Sequence, residues 1–595
     1  MNESVTSNKT GGLYLLNVVG EEPIFTREQF SEEHQEIGKM VAEFSTEKIA
    51  TIIDDIEKQD KELSCRLLRE LGELGLLSID IPEKYDGLNM DKTTSIIVAE
   101  SMAHGHSGSF ATTWSVQTGI GMLPIVWFGN DKQKEKYLPK LASAEWIGAY
   151  ALTEPDSGSD ATSAKTTAIL SKDGKYYILN GEKQFITNGG WADVYTLFAQ
   201  VDGSKFTAFI IDRDTPGFEI GPEEHKLGVK GSSTVSLKLN DAKVPLDNVL
   251  GEIGGGATIA FNALNIGRLK LGASTLGGSK EVINITIQYA LERRQFGQSI
   301  AHFDVIKKKI ADMTVRTYAL DSIIYRTMGM IDQVIARLDH NAPDFYLKMG
   351  EAMEHFAIES SMVKVFGSET LGFCSDTGIQ VHGGYGYIEE YPIARIYRDT
   401  RIDRIWEGTN EINRQIITGF FMKKTLLDEI PLRERIKNID SFLSSVNSIS
   451  SGQLFLNQHN MIEAGKYLTL FVFDEALKEF GQDLKHNQQL GELLADMFLD
   501  LYLSDSTVTR VKQVIQSTGQ HSVLSAIAQV FTAEMALRLL NQSLTGLNDI
   551  YHGNLPESII NILRNFQVRL LPRSDVAALK RQIAEYVYLQ HKYPF

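Results

Sequence analysis

The spacing of apolar and polar positions changes several times along the chain. Residues 1–30 sustain no period and read as an irregular arm. From Ser31 the spacing is helical: Ser31 precedes EEHQEIGKMVAEF, an N-cap followed by acidic residues in the first turn. Helical spacing continues through LLRELGELGLL and IIVAESMA to about Trp146, interrupted by Pro and Gly at IPEKYDGLNM. Residues 31–147 are therefore predicted as a helical domain. Between 148 and 252 the segments GKYYILNGEKQFITN, VYTLFAQV and KFTAFIIDRD are rich in aromatic and β-branched residues, and KDG, NGG, VDG and TPG punctuate them as turns. In TVSLKLND, Val235, Leu237 and Leu239 alternate with polar residues, as in a strand with one wet face. This stretch is predicted as a small antiparallel β domain.

Helical spacing returns at GGGATIAFNALNIGRLKLGAS and persists to about residue 425, giving a helical bundle over 253–425. Six serines between Ser441 and Ser451 mark a linker, placed at 426–460. Residues 461–595 are again helical, and Leu490, Leu493, Leu494, Met497 and Leu501 form one stripe read as core packing. The predicted fold class is α+β, mainly α: an N-terminal helical domain, a central β domain, a helical bundle and an additional helical domain. Strands do not alternate with helices, which argues against a doubly wound parallel sheet.

The 595 residues are 43% hydrophobic and 23% charged, ordinary globular values. The net charge of −17 disfavours nucleic acid as a partner and leaves no polybasic anchor for an anionic membrane. Cys65 and Cys374 are the only cysteines, too few for a disulfide framework or a cysteine-rich zinc site and suited to a reducing compartment. No apolar run of transmembrane length is evident, and the N-terminus resembles neither a secretory signal nor an Arg-rich transit peptide. A cytoplasmic location is expected.

Some chemical signals are weak. GEIGGGATIAF lacks the preceding buried strand that a dinucleotide fingerprint needs, and reads as a domain junction. His104 and His106 have no acidic or cysteine neighbour in the sequence, so no metal is expected. There is no GxSxG elbow.

Three segments carry more. AYALTEPDSGSDAT (149–162) leaves a strand for a polar, glycine-rich loop that suits a planar polar ligand, or is an ordinary turn. IQVHGGYGYIEEYP (379–392) places Gly383, Gly384 and Gly386 after a helix, permitting close backbone approach to a pyrophosphate or simply stopping the helix. In RDTRIDRIWEGTNEINR (398–414), Glu407 sits between apolar residues just outside a helix expected to start near Thr409 or Asn410. A desolvated carboxylate beside uncapped N–H groups suits proton abstraction next to a carbonyl; the competing reading is that Glu407 only favours the helix dipole.

In this order LTEPDSGSD (152–160), KQFITNG (183–189), ERRQFGQ (292–298), QVHGGYGY (380–387) and the 398–414 segment resemble the acyl-CoA dehydrogenase family over residues 30–425. The helical extension is most like that of the very-long-chain branch. The resemblance implies an enzyme that uses FAD to introduce a trans double bond between Cα and Cβ of a fatty acyl-CoA, long-chain by the same resemblance, in β-oxidation. It implies Glu407 as catalytic base. It places the flavin against Tyr150, Leu152, Thr153, Ser159, Phe185, Ile186 and Thr187. Arg293, Phe296, Gln380, Gly383 and Gly384 would reach the FAD of a neighbouring subunit, and Thr409 and Glu411 would approach the FAD pyrophosphate and adenosine region. Ser159, Asn265, Arg268 and Gly408 would contact substrate. The implied partners are acyl-CoA, an electron-transfer flavoprotein and a second copy of the chain, a homodimer being favoured, with peripheral membrane contact open to the extension.

The sequence also departs from the family pattern. Phe185 stands where many members have Trp, Asp304 where many have Gln, and Val116 where medium-chain members have a pocket-floor Glu; with Gly119 and Gly121, Val116 suggests a deeper acyl tunnel. An oxygen-using acyl-CoA oxidase and a non-catalytic scaffold on the same fold are the alternatives. The scaffold predicts loss of the base or the flavin segments, yet both are retained.

Overall fold

The computed structural model describes residues 11–445, 455–519 and 522–595. The N-terminal helices begin where side chains can cap them. Ser31 opens α1 (Glu32–Phe44), Asp60 opens α2 (Lys61–Glu73), Asp91 opens α3 (Lys92–Ser101), Ser107 opens α4 (Gly108–Thr118) and Asn130 opens α5 (Asp131–Ala142). Each cap oxygen accepts the backbone N–H three residues on, satisfying a donor the helix cannot pair internally.

The central domain is an eight-stranded sheet: β1 (Gly148–Ala151), β2 (Thr167–Leu170), β3 (Tyr176–Thr187), β4 (Val194–Val201), β5 (Lys205–Asp212), β6 (Phe218–Glu223), β7 (Thr234–Pro245) and β8 (Val249–Leu250). The order is β6-β7-β3-β2-β4-β5-β8, with β1 also on β4. It is not wholly antiparallel as expected, because β1 and β2 both run parallel to β4. The long excursion after β1 and the β2–β3 hairpin bring β4 back alongside both without a direct hairpin. Val235, Leu237 and Leu239 on β7 are buried as their alternation predicts.

The second helical layer centres on α6 (Gly256–Glu292), a 37-residue helix. The short strands β9 (Arg294–Gln295) and β10 (Gln298–Ser299) follow it, then α7 (Asp304–Ile335), α8 (Ala357–His382), α9 (Pro392–Thr400) and α10 (Asn410–Leu426). Helix α8 lies along α6, and α10 against α8. Within 426–460, Leu432–Lys437 and Ile439–Ser444 are helical and Ile430 and Leu432 are buried; Ser448, Ser450 and Ser451 lie outside the described residues.

Beyond this come α11 (Leu456–Phe480), α12 (Gln488–Thr518), α13 (Ser522–Ile550), α14 (Glu557–Leu570) and α15 (Val576–Gln590). The stripe on α12 is packed inside, and α12 lies on both α7 and α10. Helix α13 alone among the described helices is long and apolar enough to cross a membrane, but 67% of its most apolar window is buried within the protein. It packs on α11, α12 and α15 as a core helix.

The described part of the N-terminal arm is tightly held. Tyr14 donates its hydroxyl to the Phe498 carbonyl at 2.8 Å. Arg27 pairs with Glu100 and Asp321, and Glu28 with Arg510, so the arm joins α3, α7 and α12. Its elements are single 3₁₀ turns, Leu13–Leu15 and Arg27–Gln29, too short to leave a period in the sequence.

Candidate active site

Helix α10 starts where its sequence says it should. Thr409 is the N-cap and its hydroxyl accepts the Ile412 N–H at 3.3 Å. The two residues before it are left-handed, Glu407 at φ +56° and Gly408 at φ +80°. Glycine adopts this conformation freely, whereas glutamate is strained in it and persists only if its surroundings hold it. They do so through its carbonyls. Glu407 O accepts Arg268 Nε at 3.0 Å, and Gly408 O accepts Lys364 Nζ at 2.7 Å and Asn413 Nδ2 at 2.8 Å. With these oxygens held by cations and an amide, the Glu407 side chain is turned into a cavity of about 1170 Å³.

That carboxylate has been left without partners. Its Oε2 is sealed and makes no hydrogen bond among the described residues, and the remaining accessible surface of Glu407 faces the cavity. Burial pushes its pKa up to about 7, against the opposing pull of Arg268 and Lys364. Arg268, itself lowered to about 10 by burial, also donates to Asn265 Oδ1 at 2.8 Å. Space for the carboxylate comes from Gly267 on α6: a Cβ there would lie 2.6 Å from Oε2.

The β domain supplies the opposite wall. Tyr150 lies near the end of β1 and Leu152 just beyond it, where the chain turns into the loop carrying Thr153 and Ser159. Buried Glu154 ties this loop down, accepting Lys165 N–H at 2.6 Å, Thr166 N–H at 3.1 Å and Lys183 Nζ at 2.7 Å. On β3 the register with β7 shifts between Lys183 and Ile186, and Phe185 within this bulge has φ +59°. Bulges re-aim side chains. Here Phe185, 63% exposed, lines the cavity beside Ile186 and Thr187 instead of packing in the sheet.

The cavity thus unites Glu407 with Tyr150, Leu152, Thr153, Ser159, Phe185, Ile186, Thr187, Asn265, Arg268, Gly408 and Thr409. An aromatic wall, an anchored polar loop and an unpartnered carboxylate fit a planar, polar-edged cofactor such as FAD. Arg293, Gly383 and Gly384 instead line a separate open cavity of about 570 Å³. Gly383, at φ +61°, caps α8, as the helix-stop reading proposed, yet a Cβ at Gly383 or Gly384 would meet nothing. Gln380 is exposed one turn earlier, Phe296 is 92% exposed at the β9–β10 tip, and Glu411 is exposed in the first turn of α10. None of these three lines either cavity.

Other expectations change. Val116 lines the main cavity, but Gly119 and Gly121 do not; glycine there avoids the Ser115 and Val116 carbonyls. Asp304 faces Arg581 of the extension at 3.5 Å. The two histidines do have an acidic neighbour, Glu281 on α6, at 3.3 Å from His104 and 2.8 Å from His106. No group of three or more potential metal ligands occurs among the described residues. Sequence reasoning missed Lys364, Asn413, Gly267 and the Glu154–Lys183 pair. The one available signal for Lys364 was a lysine inside the apolar helical run MVKVFG.

This helical–β–helical scaffold, with a flavin-sized cavity and a raised carboxylate, defines a flavin-dependent acyl-CoA oxidoreductase. Acyl-CoA dehydrogenase domain models match at 31–145 (N-terminal), 149–242 (middle) and 254–420 (C-terminal), and a further C-terminal domain model matches at 464–565. The chain belongs to the acyl-CoA dehydrogenase family and is an FAD-dependent enzyme. It is similar to a probable acyl-CoA dehydrogenase of Bacillus subtilis, 41% identical over 586 residues and 98% of each chain. It is 32% identical to the mitochondrial very long-chain specific acyl-CoA dehydrogenase of Bos taurus, over 83% of this chain and 76% of that one. The crystal structure of a Bacillus anthracis acyl-CoA dehydrogenase complexed with FAD superposes with a TM-score of 0.94 at 40% identity, covering 98% of this chain and 100% of that one.

Proposed function

We propose that this enzyme dehydrogenates long-chain fatty acyl-CoA thioesters to trans-2-enoyl-CoA in β-oxidation, with Glu407 as the base. The observation that carries the reading is the Glu407 carboxyl in the cavity wall, without a hydrogen-bond partner among the described residues and with a pKa pushed up to about 7. A base poised near neutrality can take a proton and hold it. The Glu407 backbone N–H, which makes no hydrogen bond among the described residues, is free to polarise the thioester carbonyl and acidify its α-carbon. FAD, when bound, supplies the acceptor for the β-hydrogen. Phe185, Ile186 and Thr187 hold its ring against the substrate, and Tyr150, Leu152 and Thr153 hold its polar edge.

The long chain is supported by the depth of the cavity along α6 and by similarity to a very long-chain specific relative. The separate position of Arg293, Gly383 and Gly384 supports a homodimer in which they, with Phe296 and Gln380, complete the FAD site of the other subunit. Electrons leave to an electron-transfer flavoprotein, and the unpaired buried thiols of Cys65 and Cys374 suit the cytoplasm. Anaerobic mixing with acyl-CoAs of graded length tests the reading. Long chains are expected to bleach the flavin in wild type, and Glu407→Gln to retain FAD yet bleach at least about a hundredfold more slowly. Fast bleaching by the variant refutes the assignment; rapid peroxide formation in air in place of transfer to the flavoprotein identifies an oxidase.

A further inference from the structure

Helix α6 forms one side of the cavity for most of its length. From Gly267, against Glu407, the lining continues through Leu271, Ser274 and Gly278 to Glu281. The 14 steps from Gly267 to Glu281 span about 21 Å at 1.5 Å per residue. A fully extended chain advances about 1.2 Å per bond, so the space takes an acyl tail of about 17 bonds. Its distal wall is built from small side chains, Ala99 and Ala103 opposite Ser274 and Gly278. The end is different in kind, for His106 and Glu281 both line it.

We propose that the His106–Glu281 pair is a hydrogen-bonding terminus of the acyl tunnel, selecting fatty acyl-CoA chains that carry a hydroxyl at their distal end. This rests on the dehydrogenase reading and names the substrate class it favours. An ionised carboxylate has about four lone-pair sites. Glu281 uses two: Oε2 faces His106 Nε2 at 2.8 Å, and Oε1 accepts from Asn284 Nδ2 at 3.1 Å, with His104 Nδ1 an ion-pair neighbour at 3.3 Å. Room remains for a further donor. A hydroxyl arriving at the tunnel end supplies one. A methyl end instead strips water from the pair and returns no hydrogen bond, a cost polar sites impose on substrates lacking the matching group. A terminal carboxylate brings a second anion to Glu281 and no proton to donate, since hydrogen bonding and charge from the neighbouring imidazoles outweigh burial and hold the Glu281 carboxyl below its usual range.

The test compares anaerobic flavin reduction by hexadecanoyl-CoA, ω-hydroxyhexadecanoyl-CoA and the ω-carboxylated analogue, with bound FAD reporting folding. Wild type is expected to favour the hydroxylated over the plain chain by about tenfold in kcat/KM, the worth of one hydrogen bond to a charged group, and to disfavour the carboxylated one. Glu281→Leu is expected to reverse the first ratio. His106→Leu, on a different element, is expected to reduce it, which keeps the test available if the α6 variant loses FAD. Glu281→Gln is expected to relieve the discrimination against the carboxylated chain. Hydroxyl-to-plain ratios unchanged in FAD-loaded Glu281→Leu or His106→Leu overturn the proposal. Failure of every acyl-CoA to bleach wild type overturns the dehydrogenase reading beneath it.

Discussion

Replacing Glu407 by glutamine should stabilise the protein at alkaline pH while slowing turnover by at least about a hundredfold. Burial lifts this carboxyl from an ordinary 4.5 to about 7 in the folded protein. Between those values the folded chain keeps a proton that the unfolded chain has released. Stability therefore falls as pH rises through this window, and the loss is complete above about pH 7. A shift of this size is worth at most about 3 kcal/mol, and water in the open cavity screens part of it. The amide of E407Q imitates the neutral acid at every pH and escapes the loss. Arg268 retains its bonds to Asn265 and to the backbone carbonyl at 407. With an unfolding entropy of about 1.2 kcal/mol/K for a chain this long, 3 kcal/mol corresponds to a rise in Tm of about 2.5 °C. The assay is parallel thermal scans of FAD-loaded wild type and E407Q at pH 5 and pH 8, at one scan rate. The advantage of E407Q should be small at pH 5 and approach 2.5 °C at pH 8. Equal advantage at both values would show that the carboxylate is not ionising against a burial cost.

Gly267→Ala should keep the fold and the flavin but cut kcat/KM by at least about tenfold, because the new Cβ would lie 2.6 Å from Oε2 and must displace the carboxylate; wild-type turnover would refute the close packing. Lys364→Met removes the bond to Gly408 O and a cation that holds the Glu407 pKa down. Its kcat should fall, and the rise of kcat/KM with pH should move to higher pH. A reduced kcat with an unmoved pH profile would assign Lys364 a packing role alone.

Much of the architecture was legible because it depends on neighbours a few positions apart. The caps at Ser31 and Thr409, the alternation of Val235, Leu237 and Leu239, and the run of motifs from LTEPDSGSD to IWEGTNEINR all act within a turn or a strand. They sufficed for the α–β–α layout and the flavin family, and they singled out Glu407 as a candidate base. What positions the Glu407 carboxyl and tunes its charge lies farther away in the chain. Lys364 is 44 positions from Gly408, and Arg268 is 139 from Glu407. His106 meets Glu281 across 175 positions, and Tyr14 meets Phe498 across 484. Such pairings leave no periodicity, because the helices and strands between them decide which side chains meet. Burial, and with it the raised pKa and the polar end of the tunnel, exists only after those elements pack and exclude water.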